Sequence, residues 1–396
     1  MNKKVKCLFP FYAFYYRGDD NKIGACCMQK PMISKLGHDS IEKWWTGPDA
    51  QKIRQQFIDG EWPDSCKICK KQEEAGQETI AKRWGRQFLY KIGANYDDID
   101  VVKGNSTGDP FFVDYRPDNF CNLSCSMCNP GASSNIEKMA RDLELDFWDL
   151  PSEHSFKGNN RVKTMITPNV KKLKINGGEP TINEKIKDIY RYTIDNGFSK
   201  NIHLQFTTNF TNFNKTFEML KEFRRVNVTA SLDGTGQTYE YIRTPAKWNS
   251  VKNNILKYAE MCDGERFKFS VNTVWFSATA FTIIDWLPEL LDFVQENFGH
   301  KEDITINQCQ TPAFQNLSII PEEYRAEIYE NISMIEQRYP DYAYIFDEMR
   351  FGLDWFKFDP NNLRKWQELN PKMDAYKKID ITTLHPRFKD LMNYNV

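Results

Sequence analysis

From about residue 110 onward, short runs of alternating apolar and polar residues take turns with stretches of helical periodicity. The runs are Phe111–Tyr115, Lys172–Asn176, Ile202–Thr207, Val226–Leu232, Phe267–Val274 and Ile304–Gln308, and each reads as a strand. Between them, Phe213, Phe217, Leu220 and Phe223 recur at the spacing of a helix that covers a sheet. A second helix is predicted from Val251 to Met261, with Val251, Ile255, Tyr258 and Met261 on one face. Strand and helix alternating in this way predict a parallel α/β sheet. The strands are not uniformly apolar. Val226, Val228, Ala230 and Leu232 alternate with Asn227, Thr229, Ser231 and Asp233, and Gln205, Thr207, Ser270 and Asn272 repeat the pattern on other strands. A sheet covered outside and polar inside predicts a barrel with a wet, ligand-sized interior; the alternative is an ordinary sheet with one solvated face. The start, MNKKVKCLFPFYAFYYRG, reads as a further, first strand, and the chain beyond about residue 320 turns helical, then irregular and aromatic through FGLDWFKFDP.

Composition narrows the class. The chain has 396 residues with 40% apolar and 14% aromatic content, enough for packed cores and too apolar for a disordered chain. Its 53 Lys and Arg nearly cancel its 54 Asp and Glu, so no global pull on nucleic acid or on an anionic membrane is expected. No apolar run approaches the ~18 residues of a spanning helix, and no signal peptide is visible, so a cytoplasmic protein is expected. Residues 92–110 are acidic, rich in Gly and Asn and without periodicity, which marks a boundary. The division that follows is 1–105, 106–320 and 321–396.

Ten cysteines stand at positions 7, 26, 27, 66, 69, 121, 125, 128, 262 and 309. In a reducing compartment their tight spacings point to metal rather than to disulfides. FCNLSCSMCNP sets Cys121, Cys125 and Cys128 in a C-x3-C-x2-C pattern directly after a predicted strand. Three thiolates on a short loop can hold three irons of a [4Fe–4S] cube and leave the fourth iron open. The loop follows the carboxyl end of its strand, where parallel barrels carry their active sites. Zinc is the alternative, but it wants a fourth ligand nearby, and no histidine lies closer in sequence than His154.

With this triplet the chain resembles the radical S-adenosylmethionine (SAM) superfamily over about residues 110–310, and further motifs match in order. Gly177-Gly178-Glu179-Pro180 resembles the GGEP motif, in which backbone and glutamate hold the SAM amino group. Thr207-Thr208-Asn209 is similar to the family's TTN turn, and Ser231-Leu232-Asp233-Gly234 to its SLDG. The resemblance therefore places Thr207, Asn209, Ser231 and Asp233 among the cofactor-binding residues. It also gives Arg243 the SAM carboxylate and Asn272 a ribose contact. Met127 stands where the family often has an aromatic residue, and Ile304–Gln310 matches the sixth-strand motif poorly, so no adenine contact is assigned there. The implied fold is a partial (β/α)6 TIM-like barrel with a C-terminal helical extension. The implied chemistry is one-electron cleavage of SAM to methionine and a 5′-deoxyadenosyl radical, which removes a hydrogen atom from the substrate. The electron would come from a donor such as flavodoxin or ferredoxin.

The amino-terminal segment, CCMQKP through WPDSCKICKKQEEAG, looks like a twitch domain, the shortened relative of the SPASM domain, although it precedes the core instead of following it. The resemblance implies an auxiliary [4Fe–4S] cluster on Cys7, Cys26, Cys66 and Cys69, with Cys27 able to replace Cys26; a structural zinc is the alternative. Twitch and SPASM relatives often modify peptides or proteins, and a peptide or protein side chain is the expected substrate. The alternatives are an oxidoreductase acting on a small alcohol or sugar, and a non-catalytic iron–sulfur or zinc-binding protein. Cys309 and Cys262 read as core thiols; for Cys309 the other role is hydrogen-atom donor or extra ligand. Lys82, Arg83, Trp84, Arg86 and Phe88 read as a helix packing between domains, with single-stranded nucleic acid as the alternative use of such a mixture.

Overall fold

A computed structural model describes residues 5–18, 22–29, 34–35, 41–74, 76, 79, 82, 108–148, 161–299 and 304–395. Two compact units emerge. One comprises Met1–Asp118, Pro151–Phe206 and Thr216–Val226; the other comprises Asn119–Leu150, Thr207–Lys215 and Asn227–Val396.

In the first unit, β1 (Ala13–Arg17) runs parallel to β4 (Phe112–Arg116), which runs parallel to β5 (Lys172–Ile175), which runs parallel to β6 (His203–Thr208, in this unit as far as Phe206). Two short strands, β2 (Lys22–Gly24) and β3 (Ser34–Lys35), add on antiparallel beyond β1. Register follows side-chain shape. Tyr16 pairs with Tyr115, and their rings stack at 5.8 Å. The helix Glu184–Asp195 lays Ile186, Ile189 and Tyr190 on the sheet, with Tyr190 packed 6.5 Å from Phe206 and 5.6 Å from Phe223. Arg54, buried on the helix Pro48–Ile58, donates to the carbonyls of Pro10 and Trp45, each at 2.8 Å. Its guanidinium also lies 4.4 Å over the Trp45 ring, which binds the amino-terminal helices to one another.

In the second unit, β7 (Arg225–Ser231, entering the unit at Asn227) lies beside β8 (Phe267–Trp275), and β8 runs parallel to β9 (Ile304–Gln308). Val251, Ile255 and Tyr258 of the helix Trp248–Ala259 are buried. So are Trp286, Leu287, Leu290 and Leu291 of the helix Ile283–Phe298. The helices Glu322–Arg338, Ala343–Trp355 and Pro360–Lys377 follow. The protein is thus a mixed α/β fold with a largely parallel sheet and helical extensions. Among the described residues, no helix is long and apolar enough to cross a membrane.

All six strands expected from the alternating pattern form, with no end moved by more than one residue. In β6, β7 and β8 the polar positions are neither bare nor packed away: Gln205, Thr207, Asn227, Thr229, Ser231, Ser270 and Asn272 are all half-buried, between fully buried neighbours. Thr229 and Ser270 hydrogen-bond at 2.8 Å, and Ser270 donates to Asn227 at 3.3 Å.

Three helical expectations need correction. The helix expected through Phe213 starts only at Lys215. Asn209 folds its side chain onto Thr211 N–H at 2.9 Å, and such an Asx turn competes with helix. Met261 lies past the end of its helix. FGLDW, read as irregular, is helical, because Ile345, Phe346, Met349, Gly352 and Leu353 form one buried stripe. Its glycine and aromatics had masked that period. Arg83, Trp84, Arg86, Phe88 and His154 lie outside the described residues, as does most of 92–110. Lys82 pairs with Glu73 at 2.8 Å.

Candidate active site and thiol groups

The triplet loop belongs to the second unit. It is held by its backbone rather than by its thiols: Ser124 N–H donates to the Thr244 carbonyl at 2.8 Å and Ser126 N–H to that of Ile242 at 2.9 Å. Within the loop, Cys128 N–H donates to the Cys125 carbonyl at 3.1 Å, a tight turn that brings those two residues together. Asn119 braces the far side through Pro130 O at 2.7 Å and Glu137 at 3.1 Å. Cys125 is buried, and Cys121 and Cys128 are half-buried. Burial pushes the Cys125 thiol far up, Arg243 pulls it back, and Cys128 and Cys121 push it further. Burial and mutual repulsion disfavour the thiolates here, so the free thiols stay protonated, whereas a bound metal supplies the positive charge that holds them as thiolates. Three cysteines on one loop are the donor type that an iron–sulfur cube takes.

The same unit places the TTN turn against this loop. Asn209 donates to Asn122 Oδ1 at 3.0 Å and accepts from Thr211 Oγ1 at 2.7 Å, while Asn122 donates to Thr211 Oγ1 at 2.8 Å. Asn122 follows Cys121, so this ring fixes the loop beside the end of β6. Sequence reading missed Asn122 and Thr211, since nothing in their spacing announces the partnership.

Arg243 and Asp233 form a buried ion pair at 2.5 Å, their side chains 7% and 0% exposed. Asp233 also accepts from Val274 N–H at 2.7 Å, which ties the end of β7 to β8. Arg243 reaches Cys125 Sγ at 3.8 Å. Burial works against its charge, but Asp233 and the Cys125 thiol more than restore it, so its pKa lies above the ordinary arginine value. Its buried Nε has no hydrogen-bond partner among the described residues. A buried donor left over suits a carboxylate ligand. Asn272, on β8, accepts from Asn307. Cys309 is buried, donates to Thr311 O at 3.8 Å, and is pushed up to about 12 by burial, then by Asp233 and Cys128. Cys262, half-buried past its helix, is likewise raised to about 12, first by burial.

The glycine pair belongs to the first unit. Gly177 and Gly178 take φ of 94° and 53°. A Cβ on Gly177 would stand 2.8 Å from the Asp118 carbonyl and would overlap Arg116. Only glycine fits there. Glu179 is buried and accepts from Thr181 N–H at 3.0 Å and Thr181 Oγ1 at 2.7 Å, so its carboxylate is held in place beside Pro180. Asp118 receives Asn183 and Lys185, each at 2.7 Å. Nearby in the sheet, the buried Asp114 faces Lys174 at 3.4 Å and Asn176 at 3.3 Å. That polar trio had no signal in the sequence beyond strand alternation.

The amino-terminal thiols also gather in the first unit. Cys7 lies in the field of Cys66 and Cys69, Cys26 in that of Cys27, Cys7 and Cys66, and Cys69 in that of Cys27. Burial, opposed by Ser65 and assisted by Cys69, pushes the Cys66 thiol up to about 11. Buried Gln29 ties the two loops together, accepting from Ala25 N–H at 2.9 Å and donating to Ser65 Oγ at 3.0 Å. Among the described residues, no three His, Cys, Asp or Glu side chains meet around a point where a single ion would sit. A cube is held differently, by thiolates at its separate corners.

No family model and no curated protein matches the sequence. Solved structures are similar at a distance. The structure titled "Native anSMEcpe with bound AdoMet" is 16% identical with a TM-score of 0.35, over 59% of this chain and 62% of that one. The chain thus spans about 62% of the length of that protein. SuiB of Streptococcus suis bound to S-adenosylmethionine is 15% identical with a TM-score of 0.36, over 83% and 68%. SuiB bound to the precursor peptide SuiA gives 15% and 0.36 over 83% and 69%. Likeness at this level describes those proteins and assigns nothing to this chain.

Proposed function

We propose that this chain is a radical SAM enzyme that removes a hydrogen atom from a peptide or protein side chain. The observation that carries the reading is the triplet loop: Cys121, Cys125 and Cys128 share one electrostatic field on a loop pinned by backbone bonds, with the Arg243 guanidinium 3.8 Å from Cys125. Such a loop would hold a [4Fe–4S] cluster by three corners. When bound, cluster and SAM together supply one-electron cleavage of a carbon–sulfur bond and a carbon radical able to abstract hydrogen. The electron comes from a one-electron donor of the flavodoxin or ferredoxin class.

The chain's own residues hold and orient. Arg243, kept charged by Asp233, offers its spare Nε to a carboxylate. Gly177 and Gly178 leave backbone open to close approach, and the Glu179 carboxyl group, held by Thr181, is of a kind suited to an ammonium. Thr207, Asn209, Ser231 and Asn272 are the polar strand-end groups left for the nucleoside. We read residues 1–105 as an auxiliary-cluster segment with Cys7, Cys26, Cys66 and Cys69 as ligands, 106–320 as the core, 321–396 as a helical extension, and the protein as cytoplasmic.

The test is anaerobic incubation with SAM and a one-electron reductant. Release of 5′-deoxyadenosine is expected. A protein that keeps its iron yet releases none is a binding protein, and the reading fails.

A further inference from the structure

The helical extension sends one charge back to the triplet loop. Lys377, the last residue of the helix Pro360–Lys377, leaves only 2% of its side chain exposed. Its ammonium donates to Ser126 Oγ at 3.1 Å, and Ser126 stands between Cys125 and Cys128. It lies 5.6 Å over the Tyr241 ring; burial lowers its pKa, while Asp374 and then the Cys125 thiol act to hold its charge.

The obvious counter-charge is Asp374, one turn earlier, but it is engaged elsewhere. Asp374 accepts from Tyr241 OH at 2.9 Å, Asn370 Nδ2 at 3.1 Å and Ile381 N–H at 2.9 Å. Lys377 stands off at 4.0 Å. Burying an ammonium is unfavourable unless a partner offsets it, and a lysine serving packing alone would turn its charge to water. This one points its charge at the loop that carries the thiols.

We propose that Lys377 is a positioning and potential-setting residue for the cluster at Cys121, Cys125 and Cys128. The inference rests on the functional reading above. A fixed cation favours the more negative, reduced form of a cluster and so raises its reduction potential, and charge and burial are the levers by which proteins tune such centres. Asp374 moderates the effect from behind.

The experiment is a potentiometric titration of the reconstituted protein, followed by electron paramagnetic resonance, in wild type and three variants. Lys377→Gln is expected to lower the reduced-to-oxidised ratio about tenfold at fixed potential, which is about 59 mV for one electron. Lys377→Arg should stay near wild type. Asp374→Asn should shift the ratio the opposite way; the Tyr241 hydroxyl can turn to accept from the new amide. A merely structural lysine would lower iron content and melting temperature in Lys377→Gln while leaving the potential of the remaining cluster in place, and that result overturns the inference. Should Lys377→Gln not fold, the upward shift in Asp374→Asn decides, and its absence is equally fatal. A wild-type protein without a four-iron cluster at the triplet overturns the functional reading itself, which keeps the two failures apart.

Discussion

Replacing Cys121, Cys125 and Cys128 together with alanine is expected to remove about four irons per chain and to reduce 5′-deoxyadenosine release to background. Folding should survive. The loop hangs on Ser124 N–H to Thr244 O, Ser126 N–H to Ile242 O and Asn119 to Pro130 O, none of which involves a thiol. Of the three, only Cys125 is buried, and a buried cysteine acts as a small hydrophobe whose truncation is modest. Iron and sulfide counting on this variant also reads the other thiol group. Iron and sulfide that remain belong to Cys7, Cys26 or Cys27, Cys66 and Cys69. Zinc in their place removes the auxiliary-cluster reading while leaving the core reading standing.

The second large effect concerns the Asp233–Arg243 pair. Arg243→Met is expected to cost the apoprotein about 3–5 kcal/mol, since it strands a carboxylate that is 0% exposed. Domain stabilities total only about 5–15 kcal/mol, so the melting temperature should fall by roughly 10 °C. The double variant Asp233→Asn/Arg243→Met should recover much of that loss, because it removes both charges and keeps an acceptor for Val274 N–H. Recovery of stability without recovery of SAM binding would separate the two jobs of Arg243: keeping Asp233 paired, and presenting its spare Nε. Equal melting of single variant and wild type would contradict the pairing.

Much of this architecture was legible in the residue pattern, and the exceptions have physical causes. Strand periodicity was clearest in β6, β7 and β8, where a buried row alternates with a mostly half-buried one, while β4 and β5 are buried almost throughout. It misjudged helix ends where a side chain competes with the helix, as Asn209 does. It also missed the helix through FGLDW, whose Gly352 sits in close contact with the Gln308 side chain. The triplet could be seen from spacing alone, because Cys121, Cys125 and Cys128 lie on one loop and so are near in sequence. What spacing cannot show is a partner from far away. Lys377 meets Ser126 across 251 positions, and Gln29 meets Ser65 across 36. The Asp233–Arg243 pair lies between: both residues stood out through their motifs, but as ligands of SAM rather than as partners of each other.

The reading turns on whether an iron left open by the loop accepts the sulfonium cofactor. The most direct measurement is the resonance spectrum of the dithionite-reduced, anaerobically purified protein before and after adding SAM, taken in a variant lacking the amino-terminal thiols. A four-iron signal whose g-values move when SAM is added is the predicted result. A spectrum that SAM leaves unchanged, or the absence of any cubane signal from Cys121, Cys125 and Cys128, would contradict it.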